Sequence, residues 1–166
     1  LHEKNPSCAP PPTWCAQIMV IATFLHQATI CFRSMQGYST TVSKQCGHLN
    51  ELCNRLCHLV DCKGPLSQEE STAINELEWI LSSSRSFTIQ KAGVRAFIYD
   101  QGSFVTDILD DLDEIELEGL INNVGVLFVQ AIDGVNSISA ERNEANAAAK
   151  AEGQLPPVIP HDVTAI

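Results

Sequence analysis

All seven cysteines of this chain, Cys8, Cys15, Cys31, Cys46, Cys53, Cys57 and Cys62, fall in its first 62 residues, and none follows. Any disulfide framework is therefore confined to the amino-terminal part, and the longer remainder has to hold itself together by packing alone. Packing suffices for that, because a chain of 166 residues, 45% of them apolar, can bury roughly two thirds of its extended surface in one core. The odd number of thiols leaves one for a partner or for burial after pairing, with about a hundred connectivities open. The chain begins Leu1-His2-Glu3, as a processed mature protein or a fragment would. Removal of a secretory peptide puts thiols in an oxidising space, so an extracellular location is the expectation.

Twenty Asp and Glu oppose ten Lys and Arg, for a formal charge of −10. Nucleic-acid binding draws on clustered cations to displace counterions, so these scattered basic residues argue against it, and against anionic membranes. No residue from Asn5 to Phe32 is formally charged, and Trp14 to Phe32 is largely apolar, which raises the question of a membrane span. Gln17, Thr23, His26, Gln27 and Thr29 interrupt the stretch, and a lone helix would have to carry them into hydrocarbon. A buried core helix is expected instead of a stable span. The alternative is a signal-like or anchor segment around Met19 to Leu25.

Residues 1–14 read as a Pro-rich strap, since Pro10-Pro11-Pro12 lacks amide donors and favours an extended path. A bridge from Cys8 or Cys15 would tie that strap to the body. Residues 15–152 read as one all-α domain, a bundle of about five helices near 15–33, 38–62, 67–98, 103–118 and 119–152, and residues 153–166 as an extended tail. Cys46, Leu49, Cys53, Leu56 and Val60 alternate at three and four residues, so cysteines stand where a bundle helix ordinarily carries Leu or Ala. Gly64-Pro65 ends that helix, and Ser67-Gln68-Glu69-Glu70 opens the next as a capping box. Its stripe runs through Ala73, Ile74, Leu77, Ile80 and Leu81 to the serines at 82–84 and 86, where a kink is expected because serines compete for the backbone. Apolar residues resume at Phe87, Ile89, Val94, Phe97 and Ile98. Beyond Gly102 the spacing stays helical, with a bend or tight turn at Glu118-Gly119, and it outweighs the β-branched character of Val124 to Val129.

The run Asp107, Asp110, Asp111, Asp113, Glu114, Glu116 and Glu118 is the densest charge feature. It lacks the alternating ligands and central Gly of a calcium loop, and the helical spacing of Ile108, Leu109, Leu112 and Ile115 puts Asp107, Asp111, Glu114 and Glu118 on a solvent stripe. Cys46, His48, Cys53, Cys57, His58 and Cys62 have the residue types of a zinc site without its paired short spacing, so inter-helix disulfides are expected and no metal. Cys57-His58 makes a poor nucleophile and base, because adjacent helix positions point about 100° apart. Arg85, Lys91 and Arg95 read as a solvated face, with a site for one anionic group as the sharper reading. Trp14 and Trp79 are expected as packing anchors. The chain has no Gly-rich phosphate loop, nucleophile elbow, His-Glu-x-x-His pair or dinucleotide fingerprint, so no cofactor is expected.

With its processed start, amino-terminal cysteines and acidic helices, the chain resembles the small secreted helical proteins of fungi, among them effectors and hydrophobic-surface-binding proteins. The resemblance is one of organisation and carries no functional residue across. An enzyme is the least favoured class, because catalytic bundles act through inward-facing metal or cofactor ligands. The expected function is protein–protein interaction by a secreted, effector-type protein, with Asp107, Asp111 and Glu114 as partner-binding candidates. The alternative is a carrier of a lipid or other apolar ligand, lined by residues 18–32 and Val124 to Ile132, with Gly125, Ala131 and Gly134 making room.

Overall fold

The structure, a computed structural model, describes residues 10–37, 42–73 and 78–151. These form helices α1 (Pro12–Met35), α2 (Val42–Leu59), α3 (Gln68–Ala73), α4 (Lys91–Tyr99), α5 (Ser103–Asp110) and α6 (Glu114–Ala151), with strands β1 (Cys62–Lys63), β2 (Trp79–Leu81) and β3 (Thr88–Gln90). The chain is mostly helical, as its periodicity predicts, with a small sheet that the all-α expectation omits. Cys8 and the first nine residues of the strap, the tail at 153–166, and Ile74 and Leu77 lie outside the described residues.

Three boundaries differ from expectation, each for a local reason. Helix α1 starts at Pro12, because the first helical position needs no amide donor and the fixed proline φ suits it; Pro11 before it keeps a polyproline conformation. The expected kinked helix at 67–98 is instead α3, a β-hairpin and α4. The capping box does open α3: the Ser67 amide donates to Glu70 Oε2 at 2.8 Å and the Glu70 amide to Ser67 Oγ at 3.2 Å. These bonds pull the Glu70 carboxyl below its usual range. The serines then make the hairpin turn. The Arg85 amide donates to the Ser82 carbonyl at 3.0 Å, Arg85 takes a left-handed φ of 52°, and the Phe87 amide donates to the buried Ser82 hydroxyl at 3.3 Å. Strand β3 is central and antiparallel to both neighbours, with Ile89 opposite Ile80 on one side and Cys62 on the other.

The third difference concerns the acidic segment. The helix breaks at 111–113, not at Glu118-Gly119, because Asp113 and Glu116 form a second capping box: the Glu116 amide donates to Asp113 Oδ1 at 2.8 Å and the Asp113 amide to Glu116 Oε2 at 3.3 Å. Helix α6 then runs unbroken through Val124 to Val129. Its inner face, Leu120, Ile121, Val124, Phe128, Val129 and Ile132, meets Leu56 of α2, Val60 just beyond that helix, Val94 and Phe97 of α4, and Ile80 of the sheet in one core. Helix α1 lies over this core and contacts α2, α5 and α6.

Candidate interaction surface

Helix α1 is the element whose residues and position disagree. It was expected as a buried core helix, yet only Ala16, Val20 and Cys31 of its 24 residues are buried. Phe24 and Met35 lean partly on the same core. Trp14 (50% exposed), Ile18 (41%), Ile21 (44%), Leu25 (55%) and Phe32 (52%) face outward, so Trp14 is no packing anchor. With the half-buried Ala28 these residues repeat at intervals of 4, 3, 4, 3 and 4, the a/d pattern of a helix that packs against another helix. Thr23 belongs to the inner side, where its hydroxyl donates to Gln101 Oε1 at 2.6 Å. The polar residues that interrupt the stretch therefore leave this seam intact, while Met19 (40% exposed) and Ile30 (38%) are exposed on another side of the helix. By length and hydropathy alone α1 and the first part of α6 could each cross a membrane.

The structure does not put Asp107, Asp111 and Glu114 on one stripe. All three are exposed, but Asp107 lies on α5, Asp111 caps its end and Glu114 starts α6, so they line a corner between two helices. Glu118, expected in solvent, is half-buried and pairs with Lys91 at the start of α4, whose side chain is only 12% exposed. Lys91 is thus neutralised, and Arg85 sits apart in the hairpin turn, so the expected basic face is not formed as one surface.

No disulfide joins two of the described cysteines. Cys31 reaches α2, its thiol donating to the His48 carbonyl at 3.3 Å, and burial raises its pKa against the opposing pull of Arg55. Cys53, Cys57 and Cys62 form a chain of neighbouring thiols along the end of α2 and the start of β1, close enough for each to shift the next, and the Cys62 thiol also donates to the Lys63 carbonyl at 3.7 Å. Cys53 Sγ also lies 3.6 Å from Asn136 Oδ1 on α6. Donation to Cys57, burial and the nearby Cys57 charge push Cys53 far up. Cys57 is pulled down by the bond from Cys53, but donation to Cys62, burial and the Cys62 charge outweigh this and carry it to about 11. The bond from Cys57 lowers Cys62 below its ordinary value, more than burial raises it. Since the thiolate is the reactive form, iodoacetamide at mildly alkaline pH should label Cys62 of the reduced, folded protein ahead of Cys57 and Cys57 ahead of Cys53, with Cys57 accelerating as the pH approaches 11. Peptide mapping by mass spectrometry reads this order, and labelling of Cys53 ahead of Cys62 would refute the thiol chain.

Room for a ligand is limited where the sequence suggested it. Gly125 faces Ile80, whose Cδ1 takes up the space a Cβ would need, so this glycine admits a protein side chain; Gly134 is exposed. A cleft between α1 and α2, lined by Gln27, Cys31, His48 and Arg55 among others, holds ≈ 30 Å³, room for about one water. A wider, open concavity of ≈ 320 Å³ is bordered by Glu78, Lys91, Arg95 and Glu118 and is charged. Among the described residues no three His, Cys, Asp or Glu side chains are placed to hold a metal ion. No protein-family model matches the chain, nor does any curated protein or solved structure.

Proposed function

We propose that the protein is a non-enzymatic, extracellular helical protein of effector type that acts through protein–protein contact, with the seam from Trp14 to Phe32 on α1 as its principal docking surface. The observation that carries this reading is the exposure of five large apolar side chains in one helical line. Contiguous apolar patches of this kind are uncommon on a protein that works alone, because each Å² left in water forgoes about 25 cal/mol. A partner helix laid along the seam recovers that term. Asp107, Asp111 and Glu114 supply a second, polar contact, which steers the encounter more than it adds affinity. In an oxidising compartment, bridges from Cys8 or Cys15 tie the strap to the body and fix the start of α1, while the cysteine-free part relies on its core.

Affinity capture from the native extracellular fluid, with the wild type and Leu25→Asp side by side, tests the docking surface. A protein retained at constant stoichiometry by the wild type and lost from the variant is the expected result; charge reversal at Asp107, Asp111 and Glu114 should weaken its capture while the circular dichroism stays helical. Identical capture by Leu25→Asp would remove the seam from the account. A stoichiometric lipid in the native mass spectrum would move the assignment to the carrier. Uptake of alkylating reagent by all seven thiols without prior reduction would place the protein in a reducing compartment.

A further inference from the structure

We propose that the seam of α1 pairs with the seam of a second copy of this chain, giving an antiparallel, two-fold symmetric dimer. The inference rests on the reading of the seam as a docking surface and specifies its occupant. Trp14, Ile18, Ile21, Leu25, Ala28 and Phe32 recur on average about every 3.6 residues, the period of a straight α-helix, so they keep to one face of α1 along its whole length. The core does not require this stripe. At about 100° per residue it lies roughly a third of a turn round α1 from Ala16, Val20 and Cys31, which already serve the body of the protein.

The arrangement of the stripe is self-complementary. Run antiparallel about its midpoint at position 23, it sets Trp14 opposite Phe32, Ile18 opposite Ala28 and Ile21 opposite Leu25, so that every seam position meets a seam position and a large side chain faces the small Ala28. An isologous interface needs this property, since each residue must find its mate on an identical surface. Charge points the same way. With no formal charge from Asn5 to Phe32, the seam offers a charged partner nothing to pair with. Arg33 would face its own copy in a parallel pair, whereas antiparallel it lies level with the uncharged Thr13. A lipid surface is less well matched, because interfacial helices flank their apolar face with cations and this one carries none before Arg33 in a chain of charge −10. From the exposures of its five large residues, the seam offers roughly 500 Å² per copy, or about 1,000 Å² in the pair, the threshold for a specific contact and the size of a weak, reversible pair.

Sedimentation of the full chain tests this, with two variants at solvent-exposed positions that leave the core untouched. The wild type is expected to dimerise with a micromolar dissociation constant, and Leu25→Asp and Ile21→Lys each to be monomeric, with dissociation raised at least about a hundredfold and an unchanged circular dichroism spectrum. Mixed in equal amounts, the two variants should partly recover the dimer, because only the antiparallel register sets the Asp at 25 against the Lys at 21. A wild type that stays monomeric at roughly 100 µM overturns the proposal, as does a dimer that survives Leu25→Asp. Recovery absent from the mixture overturns the antiparallel register. If the wild type is monomeric but floats with phosphatidylcholine vesicles and Leu25→Asp does not, the seam meets lipid and the dimer is refuted. If it is monomeric yet loses a captured protein on Leu25→Asp, the docking surface stands and only the second copy falls.

Discussion

Phe128→Ala should lower the unfolding free energy by about 3–5 kcal/mol, a large fraction of the 5–15 kcal/mol available to a domain of this kind. Phe128 is fully buried at the centre of the inner face of α6. Its ring meets Phe97 of α4 edge-to-face at 5.1 Å and Phe24 of α1 at 6.2 Å, with interplanar angles of 82° and 88°. Truncation therefore removes the transfer energy of a whole aromatic side chain, leaves a cavity bounded by helices that cannot all close in, and takes away two ring contacts at once. Phe128→Leu keeps most of the volume but loses the edge-to-face geometry, and should cost about 1–2 kcal/mol. Urea unfolding followed by far-ultraviolet circular dichroism measures both. A loss below about 1 kcal/mol for the alanine variant would mean that the core is not organised around this ring. The consequence reaches the docking surface, because Phe24 is one of the side chains by which α1 leans on the body.

Helices whose apolar residues recur over many turns were legible in the sequence, and short elements were not. The inner face of α6 declares itself because Leu120, Ile121, Val124, Phe128 and Ile132 hold helical spacing for several turns. The hairpin hid because its strands have three residues each, and Ile80, Leu81, Phe87 and Ile89 also fit a helical template across the serines. Ser82 to Ser86 carried the signal, but as a turn: a run of residues that bond their own backbone, between β-branched and aromatic neighbours. The break before α6 was legible as Asp113-x-x-Glu116, the same box recognised at Ser67, but it was masked by a carboxylate run that reads as a solvated face. For the candidate surface, the missing step was to ask which of two apolar stripes on α1 a core would use. The charge-free stretch was read as one hydrophobic mass; its 4-3-4-3-4 repeat separates a seam from the Ala16, Val20 and Cys31 face, and the repeat is present in the residues themselves.

Gly93→Ala is expected to destabilise the fold by about 2–3 kcal/mol, whereas the same exchange at Gly47 or Gly119 should stabilise it by about 0.5–1 kcal/mol. All three glycines lie within helices, where alanine is intrinsically preferred, so the sign depends on what the new methyl meets. At Gly47 and Gly119 it meets nothing within 4 Å. At Gly93 it would stand 2.5 Å from the carbonyl oxygen and 3.1 Å from the carbonyl carbon of Val60, just beyond the end of α2. A side-chain tip can swing aside, as Ile80 can before Gly125, but this obstacle is main chain at a corner where Asp61 already holds a left-handed φ of 50°. Either α4 withdraws from α2 or the corner shifts, and the corner leads directly into Cys62. The variant should therefore show a second signature besides its lower urea midpoint: once Cys62 moves away from Cys57 it loses the bond that lowers its pKa, and its lead in alkylation over Cys57 should shrink. Equal stability of Gly93→Ala and wild type would show that α4 and the end of α2 do not approach this closely; destabilisation with an unchanged labelling order would place the adjustment in α4 and leave the thiol corner intact.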